Sequence, residues 1–404
     1  MAIAGVFLSW AWKEFSRSPI EVNVETTNYP LYKLPFPAIT ICPATNVKKT
    51  VGENLLTRYL NFSINDNIQN ITWNIMSGLS KCQYPFYFRM QAHFEQVTNL
   101  FQHFTDFNIT HFMIEVLPSC EEIFDHCFWL GQEVNCCDVF DLQRTEAGFC
   151  YSFNSLTSEK TRHCTALDEF SETSQSHARP KGVTNVPSRC QPRHNIASGT
   201  TTGLEVFLTF SNPEDSLGLG QRDKNGFRVF FHHPSQFPES GKGVYVPEES
   251  AKVMQVKVAT SVTQSGPDVR ALSISKRRCL FPDETHLSVF HTYSQENCLL
   301  ECRLKNMAEM CGCHPYFFSG LSVELRIFRP PHGARGFEEV DAIDCGKCLP
   351  TCHNTLYSLD YSFTADGNPY ASNQAAYLDV YYRDLGAIKY QQRLSFDFMD
   401  LVGK

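Results

Sequence analysis

Five separated stretches of the chain alternate apolar with polar positions. In residues 203–210, Leu204, Val206, Leu208 and Phe210 share one face of an extended chain, and in 226–232 Phe227, Val229 and Phe231 do the same. Met254, Val256 and Val258 repeat the pattern. Tyr357, Leu359, Tyr361 and Phe363 alternate with Ser358, Asp360 and Ser362, and Leu378, Val380 and Tyr382 form the last group. A period of two marks a strand with one buried face. Strands this far apart in sequence predict a sheet assembled from distant segments, with excursions between them.

Helical spacing occurs in two places. Residues 53–60 are short and amphipathic. Residues 294–310 are longer: Leu300, Leu304, Met307 and Cys311 recur three or four apart, with Ser294 as N-cap and Gly312 as a stop. Residues 171–199, rich in Ser, Pro and basic side chains and without periodicity, predict an exposed loop.

Residues 2–12 (AIAGVFLSWAW) form an apolar run of eleven. As a helix it rises about 16 Å, roughly half of a ~30 Å hydrocarbon core. A buried core helix is one reading. A signal peptide is a second, but no Lys or Arg precedes the run and Trp10 and Trp12 stand where a cleavage site needs small residues. The run is read as the outer half of a membrane helix whose beginning is missing. Lys13 and Arg17 follow it, and the positive-inside rule would put their side in the cytoplasm; the cysteines and sequons below point outward and carry more weight. Residues 395–404 are amphipathic, and no stretch reaches ~18 apolar residues. The chain is expected to be an ectodomain with a membrane stub.

At 404 residues the chain is long enough for two or three domains, or one elaborated domain with a real core. A hydrophobic share of 42% and 32 Phe exclude a disordered chain, and a net charge of −8 argues against nucleic acid as a partner. The 17 cysteines would be a liability in a reducing cytosol and indicate an oxidising compartment. Sequons at Asn61, Asn70 and Asn108 agree, and predict three glycans.

Cys298 and Cys302 lie one turn apart on the predicted long helix, hence on one face. Cys345, Cys348 and Cys352 precede a predicted strand. Side chains one turn apart can meet successive positions of an extended segment, so a rung of disulfides closing the excursion 279–352 at its base is geometrically sensible. Zinc on Cys311-x-Cys313 with Cys345-x-x-Cys348 is the competing arrangement, but Cys311-x-Cys313 is tighter than a zinc knuckle. Cys120 and Cys127 could close a local loop; pairing itself does not follow from sequence.

Catalytic motifs are absent: there is no Walker loop, HExxH or G-x-S-x-G, and neither enzyme activity nor a cofactor is expected. His232-His233 reads as a strand-end surface pair, with metal as the alternative. Glu121-Glu122, Glu248-Glu249 and Glu338-Glu339 read as solvated surface, because adjacent side chains on a strand point apart; proton sensing is the functional alternative.

Several motifs resemble the degenerin/epithelial sodium channel family. They are Phe36-Pro-Ala-Ile-Thr-Ile-Cys42, Gly148-Phe-Cys-Tyr-Ser-Phe-Asn154, Gly203-Leu-Glu-Val-Phe-Leu208, Gly226-Phe-Arg-Val-Phe-Phe-His232, Asn297-Cys-Leu-Leu-Glu-Cys302 with Cys311-Gly-Cys313, and Cys348-Leu-Pro-Thr-Cys352. The style of residues 276–283 and 381–390 is similar to the pickpocket branch. The resemblance covers nearly the whole chain in order. It implies an α+β fold: a disulfide-rich, hand-like ectodomain with an antiparallel palm sheet, helical finger and thumb, and a partial N-terminal membrane helix. It further implies the pairs Cys42–Cys150, Cys120–Cys127, Cys279–Cys352, Cys298–Cys348 and Cys302–Cys345. These leave Cys82, Cys136, Cys137, Cys164, Cys190, Cys311 and Cys313 unassigned.

On this resemblance residues 1–12 are the partial first membrane helix, 13–60 the wrist and palm entry, and 61–149 the finger. Residues 150–275 are palm and β-ball, 276–355 the cysteine-rich thumb, and 356–404 returning palm strands before a missing second membrane helix. The implied protein is a plasma-membrane, multi-pass subunit of a homo- or heterotrimeric, amiloride-sensitive channel, with sodium as the permeant ion, lipid around its helices and most of this chain extracellular. A non-conducting cell-surface receptor or adhesion ectodomain is the alternative. The chain departs from the family in its truncated ends and in lacking two thumb cysteines between Cys313 and Cys345. It also has Cys345-Gly-Lys-Cys348 for the usual C-x-C, where Gly346 would support a bulge, and Lys276-Arg-Arg before Cys279 where acid-sensing relatives have Trp. Without complete membrane helices, residues 1–404 alone are expected to carry no current.

Overall fold

The computed structural model describes residues 13, 18–44, 47–60, 108–161, 190–210, 212–215, 226–239, 243–247, 253–311, 315, 317–318, 345–364 and 375–395. The apolar run 2–12, Asn61, Asn70, Cys82, Cys164, Cys313, the segment 319–344 and the end 396–404 lie outside the described residues. Among the described residues no helix is long and apolar enough to cross a membrane.

Thirteen described strands form two sheets. The smaller has the order β5 (Phe140–Thr145), β6 (Gly148–Phe153), β2 (Ala38–Pro43), β8 (Gly226–His232), β9 (Val244–Pro247), and every pairing in it is antiparallel. The larger is organised around β10 (Val253–Ser265). Along one edge of β10 runs β11 (Asn354–Thr364), antiparallel over the full length. The other edge is shared by two consecutive strands: β12 (Ala375–Tyr382) lies parallel to Val253–Val258, and β13 (Gly386–Leu394) parallel to Ser261–Ser265. Beyond β12 come β7 (Leu204–Thr209), β3 (Phe124–Trp129) and β4 (Gln132–Val134); beyond β13 comes β1 (Ile20–Pro30). The large sheet is therefore mixed, not antiparallel as expected. The cause is topological: β11 reverses along β10, and a chain crossing from its end to the far edge must return in the direction of β10. β3 and β4, within the segment assigned to the finger, belong to this sheet.

The predicted alternation is visible in the packing. Leu204, Val206 and Leu208 of β7, Met254, Val256 and Val258 of β10, and Leu378, Val380 and Tyr382 of β12 are buried in one core with Ile39, Ile41, Phe140, Phe153, Phe227 and Val229 of the small sheet. β2 is buried at every position, so it carries no alternation to read. β1 and β13 are too polar and too exposed to stand out. Gly203 permits the close start of β7 beside β12: a Cβ there would meet the Val380 carbonyl oxygen at 2.0 Å. Gly148 opens β6 at φ 101°, beyond the β5–β6 turn.

At the centre stands Phe36, fully buried. Its ring meets Trp129 of β3 (5.0 Å), Tyr382 of β12 (5.3 Å) and Phe153 of β6 (6.4 Å), all edge-on. Its N–H donates to the Arg193 carbonyl (2.8 Å), and its carbonyl accepts from Asn154 Nδ2 (2.5 Å). The preceding Pro35 carbonyl accepts two phenol hydroxyls, from Tyr357 of β11 (2.8 Å) and Tyr382 (3.0 Å). Residues 193–195 are part of this knot: Pro35 bridges His194, and Asn195 is fully buried with Nδ2 donating to the Thr202 carbonyl. The end of the predicted exposed loop is thus pinned structure, because backbone beside a buried strand must satisfy its polar groups locally.

Helix α1 (Lys49–Leu60) begins four residues before the predicted one. With α2 (Ile109–Glu115) it covers a second cluster of Val47, Phe112, Met113, Val116, Leu117 and Phe149.

The described disulfides are Cys42–Cys150, Cys120–Cys137, Cys127–Cys136, Cys279–Cys352, Cys298–Cys348 and Cys302–Cys345. The expected Cys120–Cys127 pair is replaced. Cys120 opens helix α3 (Cys120–Ile123), while Cys127 faces the core from β3. The β3–β4 hairpin brings α4 (Cys136–Val139) alongside, and adjacent residues on a helical turn point about 100° apart. Cys136 therefore reaches β3 while Cys137 reaches α3. Cys190 is also disulfide-bonded.

Replacing Phe36 with Ala is expected to cost about 3–5 kcal/mol, read as a lower denaturant midpoint of the secreted chain. A midpoint within error of wild type would show that Phe36 does not hold the sheets together.

Candidate functional site

The excursion 279–352 is built on helix α5 (Gln295–Cys311; the short turns at 267–270 and 274–277 are left unlabelled). Ser294 caps it as predicted, its Oγ accepting from Asn297 N (3.1 Å). Leu300 and Leu304 bury one face against Phe237. Two polar residues, each just before a cysteine of the helix, are buried as well. Asn297 receives the Phe237 N–H at Oδ1 (2.9 Å), and its Nδ2 donates to the carbonyls of Ser235 (2.9 Å) and Thr292 (3.2 Å). Glu301 accepts from Ser288 N (2.7 Å), Ser288 Oγ (2.6 Å), Val289 N (3.1 Å) and Lys305 (2.6 Å). Burial raises the Glu301 carboxyl, but these donors outweigh it and hold the group below its ordinary range. The helix is thereby locked to the exit of β8 on one side and to the 288–289 loop on the other.

Cys298 and Cys302 bond Cys348 and Cys345 across a tight turn, not the expected bulged strand: Cys348 N donates to the Cys345 carbonyl (2.9 Å). A four-residue turn brings both sulfurs to one side, which is what partners one helical turn apart require. With Cys345 and Cys348 consumed in disulfides, the zinc arrangement is not formed. At the base, Cys279–Cys352 is flanked by a parallel bridge between Leu280 and Thr351. Where the sequence reads Lys276-Arg-Arg, Arg277 is buried. It donates to the carbonyls of Cys279 (3.1 Å) and Arg270 (3.1 Å), pairs with Glu284, and lies over the Phe281 ring. Arg270 lies over the same ring and pairs with Asp283.

On the face of the large sheet turned away from the core, Glu205 of β7 and Asp379 of β12 stand directly opposite each other. Asp379 is buried, and burial together with the Glu205 charge pushes its carboxyl up to about 7, against a weaker lowering by the Thr201 N–H at 3.4 Å. Tyr377 donates to Glu205 Oε2 (2.5 Å), and its phenol is raised by burial and by both carboxylates. Phe207 packs on Tyr377 and approaches Phe128 and His126. Sequence reasoning missed this pair, because the two carboxylates are far apart in the chain and meet only through strand register; the polar positions of the β7 and β12 alternations were the available signal.

Of the predicted surface pair, His232 is buried instead and His233 is half-buried. His232 shares a 2.8 Å hydrogen bond with Thr40 Oγ1, which in turn bonds Ser152 Oγ at 2.8 Å, and its Nδ1 faces the His233 carbonyl at 3.0 Å. Burial lowers both imidazoles to about 4, so they are neutral structural groups. Of the adjacent carboxylates, Glu122 is bonded to Ser119 N (2.8 Å) and Lys48 (2.5 Å); Glu248-Glu249 and Glu338-Glu339 lie outside the described residues. Asn108 is exposed and caps α2, its Oδ1 accepting from His111 N (3.0 Å). That leaves Nδ2, the atom a glycan would occupy, outside the cap.

Among the described residues the body is sheet-rich, tied by disulfides and has few helices. The family model for the amiloride-sensitive sodium channel matches residues 1–404, and the chain belongs to that family. Among curated proteins it is similar to Pickpocket protein 28 of Drosophila melanogaster, 25% identical over 382 residues, which are 88% of this chain and 57% of that protein. It is also similar to Sodium channel protein Nach of Drosophila ananassae, 27% identical over 309 residues (76% and 52%), and of Drosophila virilis, 29% identical over 218 residues (53% and 48%). The chain thus spans about half the length of the curated relatives it matches. It is a pickpocket-like member of a family of ion channels.

Because the folded Asp379 carboxyl binds its proton near pH 7 and the unfolded one near 3.8, its contribution favours the folded state below about pH 4 and is lost as pH rises through 7. Asp379→Asn keeps the Thr201 acceptor and adds a donor toward Glu205. Relative to wild type, its melting temperature is expected to gain about 2–4 °C between pH 5 and pH 8. Parallel melting curves across that range would show that the pair carries no proton linkage.

Proposed function

We propose that the chain is the mostly extracellular part of a subunit of a trimeric, sodium-permeable, amiloride-sensitive channel at the plasma membrane. The observation that carries this reading beyond the family match is the way the chain enters and leaves the body. β1 and β13 are antiparallel neighbours from Ile20↔Leu394 to Pro30↔Gly386. Ser395 bonds the carbonyls of Ser18 and Pro19 at 2.9 Å. Both ends therefore depart from one spot, as an ectodomain held by a membrane helix on each side requires.

In this reading β7, β10, β11, β12 and β13 belong to the palm, α1 to the wrist and palm entry, α2 to the finger, and the disulfide-laddered excursion is the thumb. Residues 1–12 and the segment after 395 lead to the membrane. Assembly with like or related subunits is supported by an apolar stripe on the outward face of the large sheet. Leu356 (58% exposed) of β11 and Ile388 (39%) of β13 stand on either side of Ser261 of β10, and Val24 (56%) and Val22 (54%) of β1 stand opposite Tyr390 and Gln392 of β13.

The test is voltage clamp of a chimaera carrying residues 18–395 between the two membrane helices of a conducting pickpocket subunit. An amiloride-blockable sodium current is expected, alone or with a related partner. A chimaera that reaches the surface and stays silent with every partner would favour a non-conducting receptor. Independently, the chain secreted from an insect cell is expected to carry glycans at Asn61, Asn70 and Asn108. Gel mobility unchanged by glycosidase would remove the extracellular assignment.

A further inference from the structure

Among the described residues five strands bound the two sheets: β1, β4 and β11 on the large one, β5 and β9 on the small one. A strand at a sheet edge leaves about half of its backbone N–H and C=O groups unpaired. Such an edge recruits another strand unless it is short, bulged, charged, ended by proline or covered. Four of the five are protected in these ways. β1 is interrupted twice in its register with β13, carries Glu21 and Glu25, and closes at Pro30. β4 has three residues, one of them Glu133, and β9 has four and ends at Pro247. β5 is covered by the segment after β6, with Glu159 N donating to the Leu142 carbonyl (2.9 Å).

β11 has almost none of these protections. It runs eleven residues in unbroken register with β10, without proline, lysine or arginine, and Asp360 is its one charge. Among the described residues no backbone group on its outer edge has a hydrogen-bond partner. Tyr357 and Leu359 still pack against the common core, but residues 360–363 are exposed on both faces. Tyr361 (54% exposed) and Phe363 (41%) stand opposite Val256 and Met254 of β10, on the face that β10 buries, and reach past its cover. Their rings meet edge-on at 6.4 Å. On the other face Asp360 meets Arg383 (3.1 Å) and Ser362 is open to solvent. The edge therefore joins an open row of backbone donors and acceptors to an aromatic shelf.

In a second copy of the chain the other four edges are equally protected, which leaves β11 as the strand free to pair with it. We propose that two copies associate through β11, edge to edge and antiparallel, about a two-fold axis at Tyr361. In such a pairing a residue n places before the axis stands opposite the residue n places after it. The two Tyr361 rings then face each other, and Leu359 of one copy faces Phe363 of the other. On the opposite face of the sheet Asp360 faces Ser362. Apolar meets apolar, and the carboxylate meets a hydroxyl. An axis at Asp360 would set two carboxylates against each other. An axis at Leu359 would move the contact toward Tyr357, whose hydroxyl is already engaged by the Pro35 carbonyl. A two-fold contact does not close a ring of three. It joins subunits of two assemblies, or two free ectodomains, and does not rest on the channel reading.

The test is the association state of the complete 404-residue chain secreted from insect cells. Light scattering on a sizing column is read across a concentration series, and backbone deuterium exchange at its two ends. A monomer–dimer equilibrium is expected, with amides 358–363 exchanging about tenfold more slowly in the dimer. Each substitution enters the contact twice. Ser362→Asp sets a carboxylate opposite Asp360 of the other copy and is expected to weaken dimerisation about tenfold; Ser362→Lys offers it an ammonium and is expected to tighten dimerisation about threefold. Because Ser362 is exposed, both variants are expected to melt as wild type does. Tyr361→Lys, which puts a charge on the shelf, is expected to leave a monomer. A chain that stays monomeric at about 100 µM overturns the proposal. An oligomer with unchanged exchange at 358–363 also overturns it, by placing the contact elsewhere. Weakening by Ser362→Lys equal to that by Ser362→Asp would show that the strands do not meet in this register, and would overturn it too.

Discussion

The two sheets of this protein are joined through the dipeptide Pro35-Phe36, half-buried at Pro35 and fully buried at Phe36. One ring touches β3, β12 and β6, and one carbonyl accepts hydroxyls from β11 and β12. A carbonyl has two lone pairs, and here both are used by phenols on the two strands that flank β10 in the large sheet. Because Phe36 immediately precedes β2, the central strand of the small sheet, the same few residues fix where that sheet sits on the large one. The 193–195 segment and Asn154 close around them by hydrogen bonds to the Phe36 backbone.

From that junction the large sheet divides. β10 is long enough to hold two successive strands on one edge, and the chain steps from β12 to β13 at residues 383–385. The β12 half carries the buried Glu205–Asp379 pair; the β13 half leads to β1 and the departing ends. β10 is the continuous connection between them, so a change in the pairing of either half is transmitted through its register.

The excursion 279–352 follows a different logic. Its helix buries little apolar surface, and its position is set by covalent and polar ties: three disulfides, the Asn297 clamp on residues 235–237 and the Glu301 clamp on residues 288–289. Its base is held by Arg277, which bonds the Cys279 and Arg270 carbonyls and lies over the Phe281 ring. In a small cluster without a deep core, disulfides and satisfied buried polar groups supply the specificity that packing supplies elsewhere.

The sequence by itself determined where β7, β8, β10, β11 and β12 lie, since a period of two survives any arrangement of partners, but not how they are covered: Tyr361 and Phe363 of β11 are exposed, and on β8 Phe230 is buried while Phe231 is half-buried. It also determined the cap and the cysteine spacing of the 295–311 helix, which depend on neighbours within one turn. Tertiary structure decided the rest. β2 is buried on both faces and β13 is half-buried along most of its length, so neither shows a pattern. The parallel pairing of β10, the exchange of partners among Cys120, Cys127, Cys136 and Cys137, the burial of His232, and the meeting of Glu205 with Asp379 all depend on which distant strands lie side by side. Register is a relation between segments, and no single segment carries it.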